Sequence, residues 1–229
     1  MTTKASTRRA MIGIIAAAAD IIATAAFAQS AAQPVKIDAA DTAWMITATA
    51  LVLMMSIPGL ALFYAGMVRK KNVLATMAQT FAAVALGSIV WVAVGYSLVF
   101  SGNGSALGTF DRIFLNGMGM DSANPLAKNI PEVVFMLYQM TFAVITVALV
   151  AGSVADRMRF SAFLWFALGW LILVYVPIAH WVWGGGFLQQ DVWLAKMGFR
   201  DFAGSTVVHT VGGAISLVAI TMLDRKSVV

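Results

Sequence analysis

The sequence predicts an all-α membrane protein, with five transmembrane helices after an amino-terminal signal peptide. Three observations carry this expectation. First, 61% of the 229 residues are hydrophobic and only 11% are charged, whereas soluble domains carry roughly 25% charged residues. Second, five apolar stretches reach or exceed the roughly 20 residues that cross a bilayer. Third, the charges between these stretches alternate in sign from one side to the other. Backbone groups in hydrocarbon must pair within their own segment, so each stretch should be a helix. The in/out alternation of a membrane β-barrel is missing.

The elements follow in order. Residues 1–28 open with Lys4, Arg8 and Arg9, continue as an Ala/Ile-rich run and end at Ala26-Phe27-Ala28. That is the pattern of a cleaved signal peptide. Asp20 inside the run argues further against a permanent span, because a mid-bilayer acid costs a few kcal/mol. The alternative is an uncleaved first helix, and Arg8-Arg9 is a weak hint of a twin-arginine signal. Residues 29–42 then form a short polar segment on the outer face, and residues 43–229 the membrane domain. Its spans are expected at Ala43–Gly66, Leu74–Phe100, Val133–Ala155, Phe160–Trp183 and Ala203–Leu223.

With the mature amino terminus outside, the inner segments hold Arg69, Lys70, Lys71, Arg157, Arg159, Arg225 and Lys226 against Asp156 and Asp224. The outer segments hold Lys36, Arg112, Lys128, Lys196 and Arg200 against Asp38, Asp41, Asp111, Asp121, Glu132, Asp191 and Asp201. This obeys the positive-inside rule. The net charge of +5 is therefore topological, and a nucleic-acid reading has no support. The outer loops, 101–132 and 184–201, are long and rich in Gly, Asn or Pro; the inner ones are tight.

The residues unusual for lipid are the functional candidates. His209 lies in the fifth span, and an intramembrane ionisable group faces a pore or a partner. A neutral imidazole accepts one hydrogen bond and donates another. That suits a narrow pore for a small hydrogen-bonding solute, and it equally suits a histidine satisfied by a neighbouring helix. Trp181 and Trp183 flank the outer end of the fourth span. They read as interfacial anchors, or as indole faces that attract a cation. Gly184, Gly185 and Gly186 allow backbone to pack beside them, and His180 reads as an interfacial hydrogen-bonding residue. Tyr138 and Phe142, four apart, share one helix face; they serve packing, a hydrophobic gate or further cation–π contacts. Gln139 is placed to bond across helices. Asp201 opens the fifth span and is expected to cap it. Gly204, Ser205, Gly212, Gly213, Ala214 and Ser216 offer a smooth face for helix contact.

Enzyme chemistry finds no footing. There is no nucleophile–base pair and no carboxylate pair within the membrane. With no cysteine and two histidines, no metal site and no cofactor are expected. The G-x-G in residues 102–108 has neither a preceding strand nor a following helix, so it reads as a loop.

Four motifs carry a family resemblance: PGLALFYAGMVRKKNVL at Pro58–Leu74, DRMRFSAF at Asp156–Phe163, YVPIAHWVWGGGFL at Tyr175–Leu188 and DFAGSTVVH at Asp201–His209. In this order they resemble the amino-terminal half of an ammonium transporter of the Amt/MEP/Rh family. The resemblance implies ammonium or ammonia as substrate and a homotrimer with one pore per subunit. It also implies a bacterial inner-membrane location with a periplasmic mature amino terminus, and a PII-type regulatory protein at the cytoplasmic face. It implies that Trp183 recruits ammonium, with Phe142 as the inner gate ring. Tyr138 stands at the outer gate position, where the family has phenylalanine. Asp201 matches the family's aspartate and His209 the first of its two pore histidines. Ser205 replaces a glycine beside the vestibule. Family members have about eleven spans built as two inverted halves, and the five spans here correspond to the first. Half of such a pair leaves the path open to lipid, so this polypeptide alone is not expected to conduct. An ammonium-sensing membrane domain and a non-functional transporter fragment are the alternatives.

Overall fold

In a computed structural model, residues 36–102, 104–189 and 199–223 are described. The signal-peptide region, residues 29–35, Asp191, Lys196 and the charges after Leu223 lie outside them. The elements below belong to the unit that begins at Ile37.

Five helices are long and apolar enough to span a membrane: α1 Ala39–Met67, α2 Lys70–Phe100, α3 Glu132–Val154, α4 Phe160–Trp183 and α5 Ser205–Leu223. No strand forms among the described residues; a single isolated bridge joins Asn124 and Ala127. Two helices begin earlier than hydropathy suggests. α1 starts at Ala39 because the Asp38 carboxylate accepts the Asp41 N–H at 2.9 Å, which caps the first turn. α2 starts with a 3₁₀ turn over Lys70–Asn72. The fifth starts later, at Ser205, because Gly204 takes a left-handed φ of 79°, which a glycine adopts without strain. Pro58 divides α1: Ile57 has extended dihedrals, since the proline ring excludes a helical neighbour.

α3 is the hub and packs against α1, α2 and α5, while α4 packs on α2. The core is apolar and aromatic. Trp91 meets Tyr96, Phe100 and Tyr175 edge-on at 6.2–6.3 Å, and its Nε1–H donates to the Met136 carbonyl. Edge-to-face pairs of this kind add roughly 0.5–1.5 kcal/mol beyond burial. Close crossings use small residues, as membrane helix pairs do. A Cβ on Gly152 would sit 2.3 Å from the Tyr64 ring, and one on Gly87 would sit 3.0 Å from Val144. The small residues of α5 are not used this way among the described residues, where a Cβ on Gly212 or Gly213 would meet nothing within 4 Å.

The outer end of α2 shows how a helix terminus is satisfied. The last carbonyls of a helix lack intrahelical partners. Here Ser97 O accepts Ser101 N–H, Leu98 O accepts Gly108 N–H, Phe100 O accepts Asn124 Nδ2–H and Val99 O meets the His180 ring. The outer loop is thus stitched onto the bundle. Residues 104–108 are irregular, as the loop reading of the G-x-G stretch requires.

Candidate functional site

At the outer end of the bundle, α3, α4 and the turn before α5 line a cavity of about 290 Å³. Tyr138, Gln139 and Phe142 reach it from α3, Trp183 from α4 and Asp201 from the turn before α5. The rings form a chain. Tyr138 and Phe142 meet edge-on at 5.0 Å, and Phe142 meets Trp183 at 5.8 Å. The four-residue spacing of Tyr138 and Phe142 stacks them on one helix face, and the outer end of α4 brings Trp183 alongside.

Asp201 organises the floor. Oδ1 accepts the N–H groups of Gly204 at 2.7 Å and Ser205 at 2.9 Å. Oδ2 accepts those of Thr206 at 2.8 Å and Val207 at 3.0 Å. One carboxylate satisfies four amides at the start of α5, with its charge against the positive helix end. The Asp201 carbonyl also accepts Trp183 Nε1–H at 2.8 Å, so the capping residue fixes the indole as well. Ser205 is exposed, contributes its backbone N–H to the cap and is not among the cavity-lining residues.

His209 lies one turn into α5. Its Nδ1 is 3.0 Å from the Gly204 carbonyl. A carbonyl only accepts, so Nδ1 donates to it, and in the neutral ring Nε2 then keeps its lone pair. The ring is exposed rather than surrounded by apolar side chains. It belongs to an uncovered α5 stripe with Gly213, Ala214 and Leu217, spaced as one helix face.

Gln139 makes no bond across helices through its carbonyl. Its Oε1 is buried without a hydrogen-bond partner among the described residues. His180, read from sequence as interfacial, is fully buried and bonds through both ring nitrogens. Trp181 anchors the outer loop by donating to the Ala106 carbonyl at 2.8 Å.

A polar network beside this cavity escaped the sequence reading. Glu132 is 2% exposed; its Oε1 accepts Tyr96 OH at 2.9 Å and its Oε2 lies 3.2 Å from Arg112 Nη2. Asn124 donates to the Tyr96 hydroxyl at 3.0 Å. At the inner end, Asp156 accepts from Asn72 and Arg69. The Asn72 bond chiefly, then Arg69, holds its carboxyl below the usual carboxylate range. No group of His, Cys, Asp or Glu suited to a metal occurs among the described residues.

Comparison with known proteins identifies the family. A sequence model of the Ammonium Transporter Family matches residues 43–229. The chain is 46% identical over 186 residues to an ammonium transporter of Bacillus subtilis, covering 81% of this chain and 44% of that protein. It is 41% identical over 217 residues to an ammonium transporter of Aquifex aeolicus, covering 94% of this chain and 48% of that one. The crystal structure of Candida albicans Mep2 superposes with a TM-score of 0.67 at 37% identity, covering 80% of this chain and 38% of that chain. The chain thus spans about half the length of the curated relatives it matches. These relatives are transporters and not enzymes. With a family match that takes in all five spans, the vestibule and His209, the chain belongs to the ammonium transporter family.

Proposed function

We propose that the chain supplies the outer recruitment site and the first half of the pore of an ammonium transporter. The observation that carries this is the vestibule itself: three edge-packed rings and the buried, unpartnered amide oxygen of Gln139, beside the helix that bears His209. Ammonium has four N–H donors and one positive charge. Aromatic faces attract the charge, and Gln139 Oε1 accepts an N–H, which together replace part of the hydration shell. Moving the bare cation further through apolar surroundings is costly. Leaving a proton at the outer side and passing ammonia avoids much of that cost. His209 Nε2, with its lone pair free, then accepts an N–H from ammonia. Tyr138 adds a hydroxyl at the rim of the gate, and Ser205 holds the first turn of α5.

The exposed His209 stripe supports a second part of the reading: the 229-residue polypeptide by itself does not enclose a conduit. The assembled transporter is proposed to be a homotrimer in a bacterial inner membrane. Its mature amino terminus lies in the periplasm after cleavage at Ala28, and a PII-type regulator docks at the inner face. The charge bias across the bilayer supports the orientation. Amino-terminal sequencing of the purified chain tests the cleavage; a retained Met1 refutes it.

The main test is uptake of labelled methylammonium by an uptake-deficient strain expressing a transporter that contains this segment. Trp183→Ala, Phe142→Ala and His209→Ala should each lower uptake at least tenfold at equal membrane abundance. Undiminished uptake in all three sinks the proposal. Absent uptake with intact binding points instead to an ammonium sensor. Uptake by the 229-residue chain alone refutes the non-conducting reading.

A further inference from the structure

His180 is a buried histidine that the transport reading does not use. Its Nδ1 lies 2.7 Å from the Val99 carbonyl and its Nε2 lies 2.7 Å from the Gly104 carbonyl. A carbonyl oxygen only accepts, and a neutral imidazole has one N–H. A bare ring nitrogen at this distance would set its lone pair against that of the oxygen. Two carbonyl partners therefore call for two N–H groups on the ring.

The surroundings fit a cation. Val99 O belongs to the last turn of α2, the negative end of the helix dipole, which favours positive charge. Both contacts are short, as charge-assisted bonds are. The ionisable groups on the neighbouring elements are Tyr96, Asp111, Arg112, Glu132 and Asp201, and none bonds the ring among the described residues. Tyr96 and Arg112 are taken up by Glu132, Asp111 by Thr109 and Asp201 by the α5 amides. The clamp itself sits under a glycine. A Cβ on Gly184 would lie 1.9 Å from Val99 O and 2.8 Å from His180 Nδ1.

The same residue holds the turn that ends α4. The His180 carbonyl accepts the Gly184 N–H at 2.9 Å and the Gly186 N–H at 3.0 Å. Trp183 lies between these points. We propose that His180 is a doubly protonated clamp: its two N–H groups tie the end of α2 and the outer loop to the turn that carries Trp183. It is a positioning residue for the vestibule. This role rests on the ammonium reading of that vestibule, while the charge state does not.

Nuclear magnetic resonance of the chain in lipid nanodiscs, with ¹⁵N-labelled histidine, tests it. The sequence has two histidines, and His209→Asn assigns the remaining ring. At pH 7 both His180 nitrogens should show one-bond N–H couplings. A nitrogen without a hydrogen overturns the clamp. His180→Gln, which cannot bond both carbonyls in the same geometry, should shift the Trp183 indole N–H and speed exchange of the 104–108 amides about tenfold. An unmoved indole and unchanged exchange overturn the positioning role. Should that variant fail to insert, raising the pH on the wild type serves instead. The Trp183 indole should move in step with loss of the second His180 N–H, and a fixed indole refutes the role. None of these readouts involves transport, so their failure and that of the ammonium reading are distinguishable.

Discussion

Replacing Asp201 tests the link between the capping geometry and the vestibule. Its two oxygens divide the work, with Gly204 and Ser205 on Oδ1 and Thr206 and Val207 on Oδ2. Asparagine keeps one acceptor oxygen and turns an NH₂ group toward the other two amides, so two N–H groups lose their partner. Alanine strands all four. A hydrogen bond to a charged group nets roughly 1.5–3 kcal/mol. Ser205 is exposed and Asp201 half-buried, so water recovers part of the loss and leaves about 1 kcal/mol per amide. The Asn variant should then lose about 2 kcal/mol and the Ala variant about 4 kcal/mol of local stability. Hydrogen exchange of the four amides reads this directly as local opening. At about 1.4 kcal/mol per tenfold, exchange should accelerate roughly 30-fold in Asn and several hundred-fold in Ala. The Trp183 indole N–H, bonded to the Asp201 carbonyl, should loosen in the same order. Equal effects of Asn and Ala, or accelerations below about threefold, refute the division of the four amides between the two oxygens.

Gly184→Ala should lower thermal stability strongly, by about 3 kcal/mol or more for a clash with fixed backbone, because its Cβ would sit 1.9 Å from Val99 O. Gly169→Ala, with nothing within 4 Å of its Cβ, should be neutral or gain roughly 0.5–1 kcal/mol; equal melting of the two variants contradicts the packing. Arg112→Ala leaves the buried Glu132 carboxylate without its cation. It should cost about 2 kcal/mol, discounted from the roughly 3–5 kcal/mol of a fully buried pair because Arg112 is partly exposed. Adding Glu132→Gln should restore most of that, and no restoration in the double variant counts against the pairing. For Asp156 the folded carboxyl is held low by Asn72 and Arg69. Its stabilising bonds are therefore complete above the ordinary carboxylate range and are lost as pH falls through the lowered value. A spin-label distance between residues 71 and 158 should stay constant through the ordinary carboxylate range and broaden only at more acidic pH. In Asp156→Asn that acid transition should vanish; a transition that persists assigns it elsewhere.

The spans were legible because a membrane helix declares itself through some twenty consecutive apolar residues, a signal no loop imitates. The cap at Asp201 was legible for a related reason: the carboxylate and its four amides lie within six residues, so a local rule suffices. The α1 boundary slipped because Asp38 caps from a polar stretch that hydropathy discounts. His180 shows where local reading ends. Beside two tryptophans it resembles an interfacial residue, yet its partners are backbone carbonyls some eighty residues earlier, and any sequence offers a carbonyl at every position. Glu132 is a similar case. At the head of a span it looks like a boundary charge, and only the fold brings Tyr96, Arg112 and Asn124 around it. Small residues misled in the other direction: the glycines of α5 invite close packing, but the crossings among the described helices fall on Gly87 and Gly152.

The distribution of open acceptors gives the vestibule its chemical sense. A site that binds ammonium in order to pass it on must attract the cation without trapping it. An uncommitted carboxylate facing a dry aromatic cavity would hold a cation hard, because screening there is weak. Asp201 is a carboxylate at the cavity edge, but all four of its carboxylate hydrogen bonds go to backbone amides, so its charge is engaged by the helix end. Gln139 also lines the cavity, and its Oε1, a neutral amide oxygen, is buried with no hydrogen-bond partner among the described residues. It offers one hydrogen bond and no net charge, beside rings that attract the cation more weakly than an ion would. Exchanging these roles tests the reasoning: Gln139→Glu should raise occupancy of the vestibule by methylammonium while lowering turnover. A faster transporter with unchanged occupancy would contradict it.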